Sequence, residues 1–94
     1  MTPVISEARK DVLLKVYELS ALNGENVTFS KLSEVFVGKY TRREICNSLE
    51  YLCNNCLIKD VWNLNQEPVV RTFQISLMYT PFVQSLYEGE GVPC

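Results

Sequence analysis

Four cysteines are the most chemically versatile side chains of this sequence, and two of them stand close together. Cys53 and Cys56 have the spacing of a zinc knuckle or of a redox dithiol. A structural zinc site usually pairs such a motif with a second one or with histidine, and the chain contains no histidine. Cys46 stands two helical turns before Cys53, about 10.5 Å along a helix axis, which is too far for joint ligation. We therefore predict no metal site, and we expect the thiols to pack as small buried hydrophobic groups.

The residue inventory gives little support to catalysis. A nucleophilic cysteine needs a general base, and histidine, the commonest one, is missing. The chain also has no Gly-rich phosphate loop of either standard spacing. We predict that the protein is not an enzyme, has no catalytic residue and uses no cofactor. Cys94 differs from the other thiols, because we expect it in an exposed tail where a disulfide between two chains is possible.

A second group of side chains has the chemistry of nucleic-acid recognition. Arginine pairs bidentately with guanine and asparagine with adenine, and Arg42, Arg43 and Asn47 open a segment with helical periodicity. Residues 28 to 47 have a local balance of +2 in a chain of net charge −2, because four basic residues face two acidic ones: Lys31, Lys39, Arg42 and Arg43 against Glu34 and Glu44. The pattern favours a local basic face over non-specific polyanion binding. The alternative is that the arginines are only the solvated start of an amphipathic helix.

These side chains must be positioned by helices, and hydrophobic periodicity predicts two helices before Arg42. The first runs to about Leu22 and is ended by Asn23-Gly24, a left-handed cap signal. Its start is ambiguous between the caps at Thr2 and at Ser6. The second follows Thr28 as N-cap and stops at Gly38.

The third helix has the strongest boundary signals. Thr41 and Glu44 form the capping-box pattern Thr-x-x-Glu at its start. Its exit lacks the usual glycine, so we expect Asn55 to adopt the left-handed conformation there. One face carries an apolar stripe made of Ile45, Leu49, Leu52, Cys53 and Cys56.

Extended and helical patterns follow the third helix. Residues 57 to 62 and 69 to 76 are rich in β-branched and aromatic side chains and predict a hairpin with a polar loop. Thr80-Pro81 begins a short helix over residues 81 to 88, followed by a loose tail over residues 89 to 94. We expect one core built from Leu13, Val16, Leu32, Phe36, Ile45, Leu49, Leu52, Ile58 and Phe73.

Length and composition bound the architecture. The chain has 94 residues, of which 47% are apolar, so we expect residues 1 to 94 to fold as a single domain. No apolar run is long enough to span a membrane, and the first residues lack the pattern of a secretion signal. We therefore expect an intracellular, cytoplasmic protein without a membrane partner.

The order helix, helix, tight turn, helix, hairpin resembles a winged helix-turn-helix domain. The segments Val27 to Leu32, Thr41 to Ile45 and Leu49 to Ile58 look like the two helices of that family and the exit into the first wing strand. Arg71 to Ser76 looks like the second wing strand of the MarR and PadR groups, although Leu77-Met78-Tyr79 replaces the usual charged residue and glycine. The resemblance implies an α+β, mainly α fold with three helices, a two-stranded wing and a short C-terminal helix.

The resemblance also implies sequence-specific binding of double-stranded DNA, as in a transcriptional regulator. In the helix-turn-helix mode the third helix enters the major groove N-terminus first, with Glu50 on the border of the contact. The wing adds Asn65 near a phosphate or the minor groove. The DNA-binding residues that we expect are Lys31, Lys39, Tyr40, Thr41, Arg42, Arg43, Asn47 and Asn65.

A two-fold pair of such domains would read a palindrome, so we expect a homodimer. Its contact is predicted on the last helix, through Phe82, Val83, Leu86 and Tyr87, with Cys94 nearby. The alternative is that this helix closes the monomer's own core. A second function from another class is a winged-helix protein-interaction module within a larger assembly, which the acidic balance and the aromatic residues Tyr17, Trp62, Tyr79 and Tyr87 would suit.

Overall fold

A computed structural model describes residues 7 to 63 and 70 to 91 of the chain. The described part contains four α-helices and one two-stranded antiparallel sheet, which is the mainly helical α+β class that the sequence predicts. The elements in chain order are α1 (Glu7–Tyr17), a π-helical turn (Glu18–Leu22), α2 (Phe29–Val35), α3 (Arg42–Asn54), β1 (Ile58–Asn63), β2 (Val70–Ile75), a 3-10 turn (Leu77–Tyr79) and α4 (Thr80–Gly91). Within these ranges no helix is both long and apolar enough to cross a membrane.

The first helix ends where the sequence predicts. The π-helical turn closes with the Asn23 amide donating to the Glu18 carbonyl at 3.0 Å, and Gly24 then adopts the left-handed conformation with φ +69°. The Ser20 hydroxyl donates to the Val16 carbonyl at 2.6 Å inside this turn. Both predicted start positions of the helix lie outside the described residues.

The N-caps of α2 and α3 confirm the predicted boundaries. The Thr28 hydroxyl accepts the Lys31 amide at 3.1 Å. Thr41 and Glu44 form the complete capping box, with reciprocal hydrogen bonds of 3.1 and 2.9 Å. Gly38, with φ +82°, turns the chain between the two helices. These local bonds fix the point at which α3 begins.

The exit from α3 differs from the prediction. The Leu57 amide donates to the Leu52 carbonyl at 2.9 Å and the Cys56 amide to the Cys53 carbonyl at 3.1 Å, the hydrogen-bond pattern of a Schellman motif. In this motif the left-handed residue is Cys56, with φ +62°, whereas Asn55 has φ −98°. The expectation that Asn55 would take the left-handed position is therefore wrong by one residue. Asn55 caps the helix through its side-chain amide, which donates to the Tyr51 carbonyl at 2.8 Å.

The predicted hairpin is present. Its strands pair in antiparallel register from Ile58 opposite Ile75 to Asn63 opposite Val70, and the predicted loop lies largely in residues 64 to 69, outside the described part. A single bridge joins β2 to the segment before α2, with the Phe73 amide donating to the Val27 carbonyl at 2.9 Å.

One hydrophobic core joins all these elements. Helix α1 lies across α3, β2 and α4. The nine residues predicted for the core are all buried: Leu13, Val16, Leu32, Phe36, Ile45, Leu49, Leu52, Ile58 and Phe73. The core also includes residues that the prediction left out, namely Val12, Tyr17, Leu19, Val27, Leu57 and Val83.

Helix α4 is longer than predicted. It begins at Thr80, whose hydroxyl donates to the Ser76 carbonyl at 3.0 Å, and it extends to Gly91 instead of ending near residue 88. Gly89 is accommodated within the helix. A glycine costs a helix only about 1 kcal/mol relative to alanine, so Gly89 weakens the helix without having to end it.

Candidate nucleic-acid interface

Helix α3 presents two opposite faces. Ile45, Leu49 and Leu52 are buried against α1 and the rest of the core, together with the small Ser48. On the other side the helix exposes Thr41, Arg42, Arg43 and Asn47, the residues that the sequence places in a groove-reading position. The packing of the apolar stripe therefore turns these polar side chains toward solvent.

The two arginines at the start of α3 carry uncompensated positive charge. Within residues 7 to 63 and 70 to 91, no carboxylate lies at ion-pair distance from Arg42 or Arg43. The Arg42 guanidinium lies 5.4 Å from the centroid of the Phe29 ring, which holds it beside α2. The Glu44 carboxylate next to them accepts the Thr41 amide in the capping box. Both guanidinium groups thus remain available to an anionic ligand.

The two predicted phosphate lysines are already in surface ion pairs. Lys31 Nζ lies 3.8 Å from Glu25 Oε1, and Lys39 Nζ lies 3.0 Å from Asp11 Oδ2 with 59% of its side chain exposed. Exposed pairs of this kind contribute only about 0 to 1 kcal/mol, so a phosphate could exchange for the carboxylate at small cost.

Tyr40 has a structural bond where a phosphate contact is predicted. Its hydroxyl donates to Asp11 Oδ2 at 2.7 Å, and its ring meets Phe36 edge to face with centroids 5.4 Å apart. The hydrogen bond to the Asp11 carboxylate raises the pKa of Tyr40 to about 12, and burial adds to this rise. Burial alone would raise the pKa of Asp11, but the bonds from Tyr40 and Lys39 outweigh it and lower that pKa. The hydroxyl proton is therefore used in the hydrogen bond to Asp11, and this bond links the α2–α3 turn to α1.

A depression of about 420 Å³ adjoins the start of α3. Ser30 and Ser33 line it from α2, opposite Thr41 and Arg42. The Ser33 hydroxyl is buried, and no hydrogen-bond partner lies near it in the described part of the chain. Neither serine is among the predicted site residues. No local sequence signal indicates them, because their place in the depression depends on how α2 packs beside the start of α3.

The wing holds a compact polar and aromatic cluster. Arg71 Nε and Trp62 Nε1 both donate to Asp60 Oδ2, at 3.0 and 3.2 Å. Burial opposes the ionisation of Asp60, yet its backbone hydrogen bond and the Arg71 guanidinium keep its pKa low. Trp62 remains 55% exposed, with the guanidinium 5.5 Å from its ring centroid. Asn65, the predicted wing contact, lies outside the described residues.

The predicted dimer residues of α4 fall into two groups. Val83 has no exposed surface and belongs to the monomer core, so its assignment to a dimer contact is wrong. Phe82, Leu86 and Tyr87 are half-buried against that core. The Tyr87 hydroxyl donates to Glu18 Oε1 at 3.1 Å, and its ring lies 5.3 Å from that of Tyr17. Cys94 lies outside the described residues.

Two of the three cysteines in the described ranges do not pack as buried hydrophobic groups. Cys46 and Cys56 are exposed, and only Cys53 is half-buried against the core. The expectation of buried thiols is wrong for the first two, because Cys46 lies beside the apolar stripe and the Schellman motif turns Cys56 away from it. Burial raises the pKa of the Cys53 thiol. In the described ranges no group of three or more cysteine or carboxylate side chains is placed to hold a metal ion.

The sequence matches no protein-family model and no curated protein. Solved structures with the same architecture include ZitR from Lactococcus lactis, a zinc-responsive MarR family member, with a TM-score of 0.67 and 16% identity over 96% of this chain. AdcR from Streptococcus pyogenes, the adhesin competence repressor, superposes with a TM-score of 0.67 and 10% identity over 93% of this chain. The chain has a MarR-type winged-helix fold.

This winged helix spans 58% of the ZitR chain and 57% of the AdcR chain. The match covers the helices, the wing and α4 together, so it bears on the whole described architecture. At these identities the similarity concerns the fold, and the site must be argued from the residues of this chain. Those residues place two uncompensated arginines on the helix that helix-turn-helix proteins insert into the major groove.

Proposed function

We propose that this protein binds double-stranded DNA sequence-specifically through α3 and acts as a transcriptional regulator. The observation that carries the proposal is the pair Arg42 and Arg43, which is exposed at the start of the helix and has no ion-pair partner in the described part of the chain. The helix dipole disfavours positive side chains in the first turn of a helix, so an anionic ligand would give this pair a favourable partner that the helix itself does not provide. No catalytic step is part of this function.

The geometry supports two roles for the polar side chains, namely contacts with base edges and contacts with backbone phosphates. With α3 in the major groove, Arg43 and Asn47 reach base edges, where a guanine and an adenine are their best partners. Arg42, held over Phe29, lies beside α2 and the depression lined by Ser30 and Ser33, where a backbone phosphate would meet the guanidinium and the exposed Ser30. Lys31 on α2 and Lys39 in the turn before α3 would add phosphate contacts that set register.

Titration of fluorescent duplexes with the protein at two salt concentrations tests the proposal. We expect salt-dependent affinity, because phosphate contacts release counterions. Replacing Arg43 with alanine should weaken discrimination between sequences, whereas Lys39→Ala should weaken binding to all sequences and flatten the salt dependence. Lys15→Ala, which removes the same charge from α1, where Lys15 pairs with Glu18 of the following turn, is the matched control and should change neither.

A protein-interaction module is the second candidate function. Leu77 and Met78 are 88% and 79% exposed in the turn between β2 and α4, at the point where the sequence departs from the MarR and PadR pattern. A partner protein that covered these two adjacent apolar side chains would remove them from water. If no duplex binds with salt-dependent affinity, this second function replaces the first.

We also propose that the DNA-binding form is a homodimer. Two reading helices related by a two-fold axis double the contact with a palindromic site. The half-buried side chains of Phe82 and Leu86 leave an apolar border on α4 beside the exposed Ser85. This border is where we place the contact between the two copies.

A further inference from the structure

Glu50 is a carboxylate in the middle of the face that α3 turns toward solvent. It is exposed, and within the described ranges it forms no hydrogen bond or ion pair. The positions three and four residues away on either side, where a helix would place a neutralising cation, are Cys46, Asn47, Cys53 and Asn54. The charge of Glu50 is therefore not compensated by its own helix.

Glu50 belongs to a row of polar side chains that shares one line on the helix surface. With about 3.6 residues per turn, Arg43, Asn47, Glu50 and Asn54 fall within a sector of roughly 60°. The sector lies opposite the buried Ile45, Leu49 and Leu52, and all four residues of the row are exposed. Arg43 and Glu50 are about 10.5 Å apart along the axis, or roughly three base-pair steps. One surface of the duplex would meet them together.

A carboxylate in this row is unfavourable for binding DNA in general. It approaches a polyanion, and removing it from water without a partner costs free energy. In the major groove the groups that can donate to it are the amino groups of the bases, and the established partner of Glu is cytosine N4. Glu50 thus weakens binding to every DNA sequence except those that present a base amino group at the position that Glu50 reaches.

We propose that Glu50 is a specificity-determining residue that selects a cytosine in the half-site, within about four base pairs of the guanine read by Arg43. This inference rests on the proposed function. It makes Glu50 a discriminating contact on the row, beyond the two attractive ones at Arg43 and Asn47. The wild type would then bind its preferred duplex about 5- to 150-fold more tightly than a duplex with that one base pair changed.

Selection of duplexes from a library with a randomised central segment tests the inference, using the wild type, Glu50→Ala and Glu50→Gln. The wild type should select a C·G pair at one position of its half-site. Glu50→Ala should lose that preference alone and should bind the other sequences more tightly, because the repulsion is removed. Glu50→Gln should shift the preference to A·T, since glutamine pairs bidentately with adenine.

Glu34→Ala is the matched control, because it removes an exposed carboxylate from α2 and leaves the α3 face unchanged. It should leave the selected sequence as in the wild type. If the wild type and Glu50→Ala select the same site, the role of Glu50 is overturned, whereas DNA binding by α3 still stands. A wild type that binds no duplex overturns the proposed function itself, and the inference with it.

Discussion

A single cysteine adopts a backbone conformation that favours glycine. Cys56 has φ +62° in the Schellman motif at the end of α3, where a side chain costs roughly 1 to 2 kcal/mol. Its side chain is exposed, so no burial of the thiol offsets that cost. The motif forms all the same, because the Leu57 and Cys56 amides both find carbonyl partners in the last turn.

Cys56→Gly should raise the free energy of unfolding by about 0.5 to 1 kcal/mol. Glycine removes the steric cost of a side chain in the left-handed conformation. This gain in free energy exceeds the cost of the extra backbone entropy that glycine has in the unfolded chain. Urea unfolding should show a higher midpoint with an unchanged slope. Asn55→Gly is the control: φ is −98° there, so glycine relieves no strain, adds backbone entropy to the unfolded chain, removes the side-chain bond to the Tyr51 carbonyl and should destabilise. An unchanged or lowered midpoint for Cys56→Gly would contradict the strain at this position.

At the scale of the elements, the predictable features are those set by local chemistry. The Thr28 cap and the Thr41–Glu44 capping box depend on residues three apart, so the sequence is sufficient to predict them. The two extended runs that form the strands of the wing are likewise predicted from composition and alternation. The caps place Arg42 and Arg43 at the start of α3, and its apolar stripe turns them outward, so this part of the candidate site could be predicted.

Contacts between elements could not be predicted in this way. The Tyr40–Asp11 bond joins residues 29 apart in the chain, and its existence depends on how α1 crosses the α2–α3 turn. A tyrosine beside two basic residues has the same local pattern whether its hydroxyl meets a phosphate or a carboxylate. The same reason explains why the serines lining the depression near α3 were missed.

The Tyr40–Asp11 bond makes stability depend on pH in the alkaline range. The pKa of Tyr40 rises from 10.0 to about 12 in the folded state, so the bond's stabilisation is fully present below pH 10 and is lost as the pH rises to 12. Tyr40→Phe should lower the free energy of unfolding by about 1.5 to 3 kcal/mol at pH 7, because the acceptor is charged. Denaturant unfolding across this range should show the difference from wild type shrinking toward zero at pH 12. Tyr51→Phe, with no hydrogen bond from its hydroxyl in the described part of the chain, should show no such trend.

At the scale of the whole molecule, two surfaces compete for the apolar side chains of α4: the core of its own chain and a second copy of the protein. Periodicity identifies its apolar side chains, but the same side chains suit the monomer's core and a second copy equally well. The core takes Val83 completely and Phe82, Leu86 and Tyr87 in part. Tyr87 is held by the Tyr17 ring of α1, which α4 crosses, and by the Glu18 carboxylate of the π-helical turn that follows α1. What remains for a second copy is the border of α4 formed by Phe82 and Leu86.

Ser85→Arg tests the homodimer at that border without disturbing the core. Ser85 is exposed and lies beside Phe82 and Leu86 on the helix, so a charged side chain there would enter the contact between two copies while the monomer keeps its packing. Sedimentation at micromolar concentration should give twice the chain mass of 10.8 kDa for the wild type and the single mass for Ser85→Arg. Gln84→Arg adds the same charge on the side of α4 away from Phe82 and should leave the dimer intact. A wild type that sediments as a monomer, or a dimer that survives Ser85→Arg, would show that α4 serves only the core of its own chain.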